Sequence, residues 1–423
     1  MTKRLYYDQP DLLEFDSAVE EVRPAAGEEL RHSFTLRESA FYPTSGGQVH
    51  DTGWVTLDGG TRLKVGEIVE AEDGRIVHYL EGATEPPAAG MRVHGTIDAD
   101  RRRDHMQQHT GQHVLSAALI ELYQFPTVSF HMGDDYCSID LATPALSQEQ
   151  VVGAEKRANE IIFENRGVTI RYVSRAEAET LCLRKLPPAE RDELRLIEIA
   201  NFDLSACGGT HVFSTGQIGS ILLRKVERTR QGMRVEFVCG GRAVRTARRD
   251  YGTLVESAAL YSAQIWDLPG QIRKSSDDVK AARKEKEEAL EQLAGAMAEA
   301  ALREFSIRSS SIGSSEPART AASTNRPVIV RVFADRDAAF AKLFAQKIVR
   351  STTSAVALVG STMNPPGVVF AQSTGGSSDI GALLKQELAA VGGRGGGSRD
   401  FAQGGVPAGV EVEKLLRQAA SRV

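Results

Sequence analysis

The sequence predicts an α+β protein. It combines an N-terminal Gly-rich β-barrel, a central α+β core, a helical linker and a small C-terminal α/β domain. Three observations carry this. Glycine-rich turns divide the first 95 residues into short β-like segments with no helical period of useful length after the first twenty or so. Residues 96–245 mix amphipathic helices with alternating strands. Beyond them, a long stretch rich in Ala, Glu and Lys gives way to a Ser-, Thr- and Ala-rich run and then to a fresh alternation of strands and helices. A chain of 423 residues is too long for one compact core and long enough for two or three. The expected division is 1–95, 96–245, 246–325 and 326–423.

In the first segment, turns at Ser45-Gly46-Gly47, Asp58-Gly59-Gly60 and Glu72-Asp73-Gly74 separate strands such as 63–69 and 75–80. A small barrel is the simplest closure for that pattern. Residues 101–122 predict a helix, with Val114, Leu115, Ala118, Leu119 and Leu122 on one face. A second helix is expected over 147–166, where Ser147 and Gln150 have capping-box spacing. Strands follow at 168–173, 194–199, 218–226 and 233–238, and Ser174 with Glu177 has the spacing to cap another helix. Residues 242–305 predict a helical hairpin or short coiled coil, broken near Asp267-Leu268-Pro269-Gly270, or else a solvated connecting helix, and 306–326 a linker. The last segment predicts strands at 327–333, 355–359 and 367–371 and helices at 337–350 and 381–391. Its glycine-rich run, 392–405, fits either a flexible loop, which composition favours, or close backbone approach to a partner.

Bulk properties exclude several classes. No apolar run approaches the roughly 20 residues of a membrane helix, and the acidic opening is not a secretory signal. Cys137, Cys182, Cys207 and Cys239 are too sparse for a disulfide framework, which points to a reduced cytoplasm. Cys137, Cys182 and Cys239 read as small core residues. The net charge of −5 argues against a nucleic-acid partner. Distribution matters more than the sum: from Arg326 onward 12 Lys and Arg face 7 Asp and Glu, a local surplus of five positive charges that permits a basic surface there, although a charge count alone shows no patch.

One constellation carries chemistry. His109 and His113 are four residues apart on a predicted helix, so both imidazoles share one face. Far downstream, Cys207-Gly208-Gly209-Thr210-His211 offers a thiolate and an imidazole on a loop supple enough to converge them. Together they form a His3Cys set suited to tetrahedral zinc, more than to iron or copper. Position 110 is Thr, so the helix lacks the glutamate base of HExxH peptidases. Four protein ligands fit a structural ion. A catalytic role requires one ligand to loosen or the metal to organise the pocket.

Three motifs, in this order and at these separations, resemble the editing half of alanyl-tRNA synthetase and its free-standing relatives, the AlaX proteins. They are residues 41–53 (FYPTSGGQVHDTG), 108–118 (QHTGQHVLSAA) and 207–212 (CGGTHV), the last followed by Ile218-Gly219-Ser220 and Gly232-Met233-Arg234-Val235-Glu236. The C-terminal part, with Phe401-Ala402-Gln403-Gly404-Gly405, is similar to the synthetase's C-terminal domain. The whole therefore resembles a long-form AlaX, with a zinc-binding editing core at 96–245. The aminoacylation domain has no room ahead of residue 1, so the resemblance implies a protein that does not charge tRNA.

The resemblance implies hydrolysis of the ester joining serine, or glycine, to alanine tRNA, with zinc on His109, His113, Cys207 and His211. Thr44 and Gln48 are the implied catalytic and substrate-binding groups, Thr44 for serine's hydroxyl and Gln48 for substrate or water. Turn chemistry is the competing account of both. Arg234 is a further substrate-binding candidate. Arg101 and Arg102, with Arg103, are placed to meet acceptor-stem phosphate or to form a solvated helix face, and Arg394 and Arg399 to bind tRNA. His105 and His131 read as packed or surface histidines, and Asp51 as a turn-fixing group. The implied partners are mischarged alanine tRNA and a second copy through the C-terminal domain, with no membrane. A tRNA-binding adaptor with structural zinc and no hydrolysis is the main alternative, and a zinc peptidase or amidohydrolase a third.

Overall fold

A computed structural model describes residues 1–25, 31–82, 85–184, 192–312 and 326–423. The chain divides into two compact units, Met1–Glu256 and Ser257–Val423. The four-part division expected from the sequence is finer than these.

Unit 1 opens with a closed six-stranded antiparallel barrel. Around it run Glu14–Arg23, Ser33–Leu36, Ile76–Leu80, Arg62–Glu70, Gly53–Leu57 and Arg92–Ile97, which returns to the first strand. Alternation fills its interior with Phe15, Val19, Phe34, Val55, Leu63, Val65, Ile76 and Val93. In Arg62–Glu70 the inward set changes parity, from Leu63 and Val65 to Ile68, because a bulge between Val65 and Glu67 inserts one residue.

Helix α1 (Ala99–Tyr123) follows, its first turn capped by Asp98, whose side chain accepts from the amides of Asp100 and Arg101. From His105 to Leu119 every residue but Gln107 is buried. The apolar face expected for it is there, except Leu122, which is 42% exposed. The opposite face is also buried, although it carries Gln108, His109, Thr110, Gln112, His113 and Ser116. Buried polar side chains demand partners, and these partners make the site. Helix α2 (Gln148–Phe163) has the expected capping box of Ser147 and Gln150, and α3 (Arg175–Ala178) is capped by Ser174. Helices α1 and α2 pack on a four-stranded antiparallel sheet in the order Ile221–Arg228, Met233–Cys239, Cys137–Leu141, Thr127–Met132. A three-stranded sheet, Val168–Ser174, Glu193–Ile199, Asp203–Ala206, completes this layer. Helix α4 (Gly240–Leu260) closes the unit.

In unit 2, α5 (Leu268–Ile312) packs Leu290, Ala294, Met297 and Ala298 into a core with Phe333, Phe340 and Phe344. Part of the stretch expected to be a helical linker thus belongs to a domain core; residues 313–325 of the expected linker lie outside the described residues. A five-stranded sheet runs Val328–Phe333, Val356–Ser361, Gly367–Gln372, Phe401–Gly405, Arg394–Gly397. Helix α6 (Ala338–Ser351) makes the crossover between the first two, parallel, strands. Helices α7 (Ile380–Ala390) and α8 (Val412–Ala420) cover the sheet's other core, the latter not foreseen from sequence.

The glycine-rich run is a β-hairpin, not a flexible loop. Its glycines serve contact. A Cβ on Gly404 would stand 2.3 Å from Leu388 Cδ1, so α7 seats its leucine directly on the hairpin backbone. Cys137 and Cys239 are buried as expected, whereas Cys182 is exposed, on a loop after α3. Among the described residues no helix is long and apolar enough to cross a membrane.

Candidate metal centre

Three elements of unit 1 converge. Helix α1 presents His109 and His113 one turn apart, their ring centroids separated by 5.5 Å. The loop after the strand Asp203–Ala206 supplies Cys207 and His211, and the His211 ring lies 4.6 Å from His109 and 4.8 Å from His113. One donor atom from each of the four residues falls within 4.8 Å of the others. Cys207 Sγ is 3.3 Å from both His109 Nε2 and His211 Nε2. A tetrahedral ion with bonds of about 2.0–2.3 Å requires donor separations of roughly 3.5 Å. The set could hold a metal ion once its widest pair, up to 4.8 Å apart, closes toward that spacing.

The loop can approach the helix only because position 209 is glycine. A Cβ there would lie 2.2 Å from His109 Cε1 and 2.4 Å from Nδ1. The third group to arrive is the turn between barrel strands, where Ser45 pairs with Gln48 and Met132 N donates to Gly47 O at 3.0 Å.

Each histidine is fixed through Nδ1, which leaves Nε2 for a metal. His109 Nδ1 donates to Gln48 Oε1 at 2.7 Å. His113 Nδ1 donates to Asp203 Oδ2 at 3.2 Å, and His211 Nδ1 meets Thr110 Oγ1 at 3.2 Å. These holders are themselves held. Gln48 Nε2 donates to Thr210 Oγ1 at 2.9 Å, while Oε1 also accepts from Thr210 N. Asp203 receives Arg184 Nε at 2.9 Å and Ser205 Oγ at 2.9 Å. Thr110 Oγ1 accepts from Val212 N at 3.1 Å.

The electrostatics suit a thiolate. Burial alone would raise the Cys207 thiol, but the His109 and His211 imidazoles outweigh it and hold it well below the usual thiol range. Burial lowers His211 to about 3, against the opposing pull of the Cys207 sulfur. Burial would also raise Asp203, yet the His113 hydrogen bond and the Arg184 guanidinium bring it down to about 2.

Not every expected residue joins this cluster. Gln48 is fully buried, with Oε1 held by His109 and Thr210 N and one Nε2 proton given to Thr210, so it positions His109. Thr44 is exposed on the same turn, and its Oγ1 accepts from His50 N at 3.1 Å. Arg234 sits opposite Asp140 and is ion-paired to it at 2.8 Å. Its strand neighbours Val235 and Phe237 enter the core against α1, so alternation turns Arg234 to the other face, away from the cluster.

Arg102 cannot meet a phosphate. It is 1% exposed, paired with Asp51 at 2.5 Å, and donates to Pro10 O and Ala40 O at 2.6 Å each. Asp51 also accepts from Tyr42 N at 2.7 Å, which fixes the turn as expected. Arg101 is half-buried and donates to His50 O, and Arg394 and Arg399 are exposed. His131 is exposed and His105 buried. Sequence reasoning missed Asp203, Arg184, Thr110 and Thr210. The two threonines stand inside the histidine motifs, where the residue beside a ligand could have drawn notice. Nothing in the sequence singles out Arg184.

A model of the threonyl and alanyl tRNA synthetase second additional domain matches residues 194–235. Alanyl-tRNA editing protein AlaX-L of Pyrococcus horikoshii is 30% identical over 98% of this chain and 98% of its own length. Alanine–tRNA ligase of Archaeoglobus fulgidus is 29% identical over 98% of this chain, and that of Pyrococcus furiosus 32% identical over 69% of it. The chain spans only 43% and 32% of those two ligases. The C-Ala domain of Aquifex aeolicus alanyl-tRNA synthetase matches 22% of this chain and 90% of its own at 23% identity, with a TM-score of 0.20.

Proposed function

The chain belongs to the AlaX family of alanyl-tRNA editing proteins, and we propose that it hydrolyses the aminoacyl ester of mischarged alanine tRNA, seryl- or glycyl-tRNA, at a zinc site. The observation that carries this is the His3Cys cluster with all three Nδ1 atoms anchored, in a chain that aligns end to end with an editing protein.

The need for such a reaction is physical. A pocket built for alanine cannot strongly reject a side chain that adds one hydroxyl, nor a smaller one, by binding energy alone. A second site selects in reverse by requiring the hydroxyl, since its polar groups stay unpaired against an alanyl ester. Thr44 is the proposed reader of that hydroxyl: its oxygen accepts from His50 N and its proton remains free to donate.

An aminoacyl ester is already activated, so the protein's work is to position it and to stabilise a developing oxyanion. His109, His113, Cys207 and His211 would hold zinc, which supplies Lewis acidity and a fixed charge when bound. Gln48, Asp203 and Thr110 keep the three imidazoles in register. No nucleophile is assigned, and the proposed attack is by water. The surplus positive charge after Arg326, with Arg394 and Arg399 exposed, supports tRNA contact there. Dimerisation through 326–423 and a cytoplasmic setting complete the proposal.

The test follows ester loss from seryl-, glycyl- and alanyl-tRNA for alanine, with metal-stripped protein and Cys207→Ala alongside. Fast, metal-dependent loss of the seryl ester with a slow alanyl reaction supports editing. Bound tRNA and bound zinc with no loss above the spontaneous rate would replace it with the adaptor.

A further inference from the structure

Unit 2 holds a cavity of about 310 Å³ lined by Arg326, Thr353, Ser354, Ser373, Gly376 and Ser377, with Ala355 and Gly375. Its volume is at the lower end of the roughly 300–1,000 Å³ of small-ligand sites. Nothing in the metal centre uses it.

Its arginine is the unusual feature. Arg326 is half-buried, and among the described residues its guanidinium donates to neutral acceptors: Gln372 Oε1 at 2.8 Å, Ser377 Oγ at 3.2 Å and Ser378 Oγ at 3.4 Å. Among the described residues no carboxylate pairs with it. Burial lowers its pKa with no acid to oppose the effect. The two acids nearest in the chain to these loops are committed. Asp400 Oδ1 accepts from Gln372 Nε2 at 2.7 Å, and Asp379 Oδ1 caps α7 through Ala382 N at 2.9 Å.

A second cation approaches the same loop, since Arg399 Nη2 donates to the carbonyls of Gly376 at 3.4 Å and Ser377 at 3.5 Å. Ser354 and Ser377 are exposed, whereas Ser373 spends its hydroxyl on Thr352 O and Ala355 N. The loop leads into the N-terminus of the 11-residue helix α7, whose dipole adds partial positive charge. A guanidinium that no described carboxylate pairs, beside hydroxyl donors and a second guanidinium, suits a tetrahedral oxyanion with several acceptor oxygens.

We propose that this cavity binds a phosphate group, with Arg326 as its main ligand and Arg399 and the Ser377 hydroxyl as partners. Two sources share that chemistry, a backbone phosphate of tRNA and a free phosphorylated small molecule. The first rests on the tRNA reading above.

The experiment uses the full chain, its Arg326→Met and Arg326→Lys variants, and Ser377→Ala. Inorganic phosphate is titrated at constant ionic strength while the unfolding midpoint is followed, and alanine tRNA binding is measured from low to high salt. Phosphate should raise the wild-type midpoint, leave Arg326→Met unmoved and act partly on Arg326→Lys and Ser377→Ala. If the source is tRNA, Arg326→Met also flattens the slope of log affinity against log salt by about 0.7–0.9. Unchanged tRNA binding with lost phosphate response assigns the site to a free phosphorylated ligand. A phosphate response equal in wild type and Arg326→Met, or absent from both, overturns the proposal. Hydrolysis of a mischarged acceptor-stem fragment runs in parallel and is expected to be the same in wild type and Arg326→Met. Its failure in the wild type would remove the editing reading and leave the phosphate result standing.

Discussion

Replacing Asp203 by Asn tests whether the groups behind the histidines set metal affinity. Asp203 has 3% of its side chain exposed, and its folded pKa of about 2 keeps it ionised throughout the neutral range. His113 therefore donates to a full negative charge, which strengthens the bond and makes the ligating nitrogen more electron-rich. Asparagine preserves the shape and removes the charge, and it leaves Arg184 without its carboxylate. Loss of such a supporting group weakens metal binding by about 10–100-fold, which is about 1.4–2.7 kcal/mol. Gln48→Ala removes only a neutral acceptor from His109, so its effect should stay near or below the tenfold end. Arg184→Met keeps the carboxylate and should fall between wild type and Asp203→Asn. The assay is competition for zinc between apo protein and a chromogenic chelator, with circular dichroism as the folding control. An Asp203→Asn affinity within twofold of wild type, or a larger loss in Gln48→Ala, would refute the reasoning.

Other outcomes follow from the same structure. Asp51→Ala strands the buried Arg102 guanidinium and should cost about 3–5 kcal/mol in urea unfolding; a loss under about 1 kcal/mol would contradict the pairing. Gly209→Ala places a Cβ where His109 Cε1 stands, so zinc affinity should drop at least about tenfold with the barrel intact, read by the same chelator competition. His78 is buried in the barrel wall, and burial lowers its pKa from 6.5 to about 4. Above pH 6.5 both folded and unfolded forms are neutral. Below it only the unfolded chain takes the proton, so stability falls as pH drops, by about 2 kcal/mol at pH 5 and about 3 at pH 4. Urea midpoints of the metal-free protein at pH 7 and 5 should show this, and the pH difference should shrink in His78→Gln even though that variant is weaker at pH 7.

The legible parts of the fold were those where one periodicity dominates. The turns at Asp58-Gly59-Gly60 and Glu72-Asp73-Gly74 flank the strand Arg62–Glu70. The capping spacing of Ser147 and Gln150 marked α2 to within a residue at its start. What failed was composition used in place of contact. A run of glycines reads as slack because glycine is permissive, yet here Leu388 of α7 occupies the space that side chains would fill, and the strands pair. Helix α8 spans only 9 residues, shorter than the window over which a helical period stands out. Cys182 reads as a core residue from its apolar neighbours, but these sit on a loop where neighbours in sequence do not bury one another.

At the site, the ligands were readable and their supports were not, for one physical reason. A histidine pair four residues apart is a local property of a helix, and Cys207 with His211 is a local property of a loop, so each half shows in sequence. Asp203 meets His113 across 90 residues and Gln48 meets Thr210 across 162, and separations of that kind exist only once the barrel, α1 and the strand Asp203–Ala206 are assembled. The same logic moved Gln48 from substrate to scaffold. An amide beside a glycine turn looks available until His109 and Thr210 arrive to use both of its ends. It also moved Arg102 from the surface to the interior, where Asp51 had been read only as a turn residue. Both residues of that pair stood in the quoted motifs or beside them, and only the fold shows that they answer each other. Thr44 keeps the reverse position: it stays exposed with a free hydroxyl proton. Thr44 is therefore the proposed reader of a seryl hydroxyl.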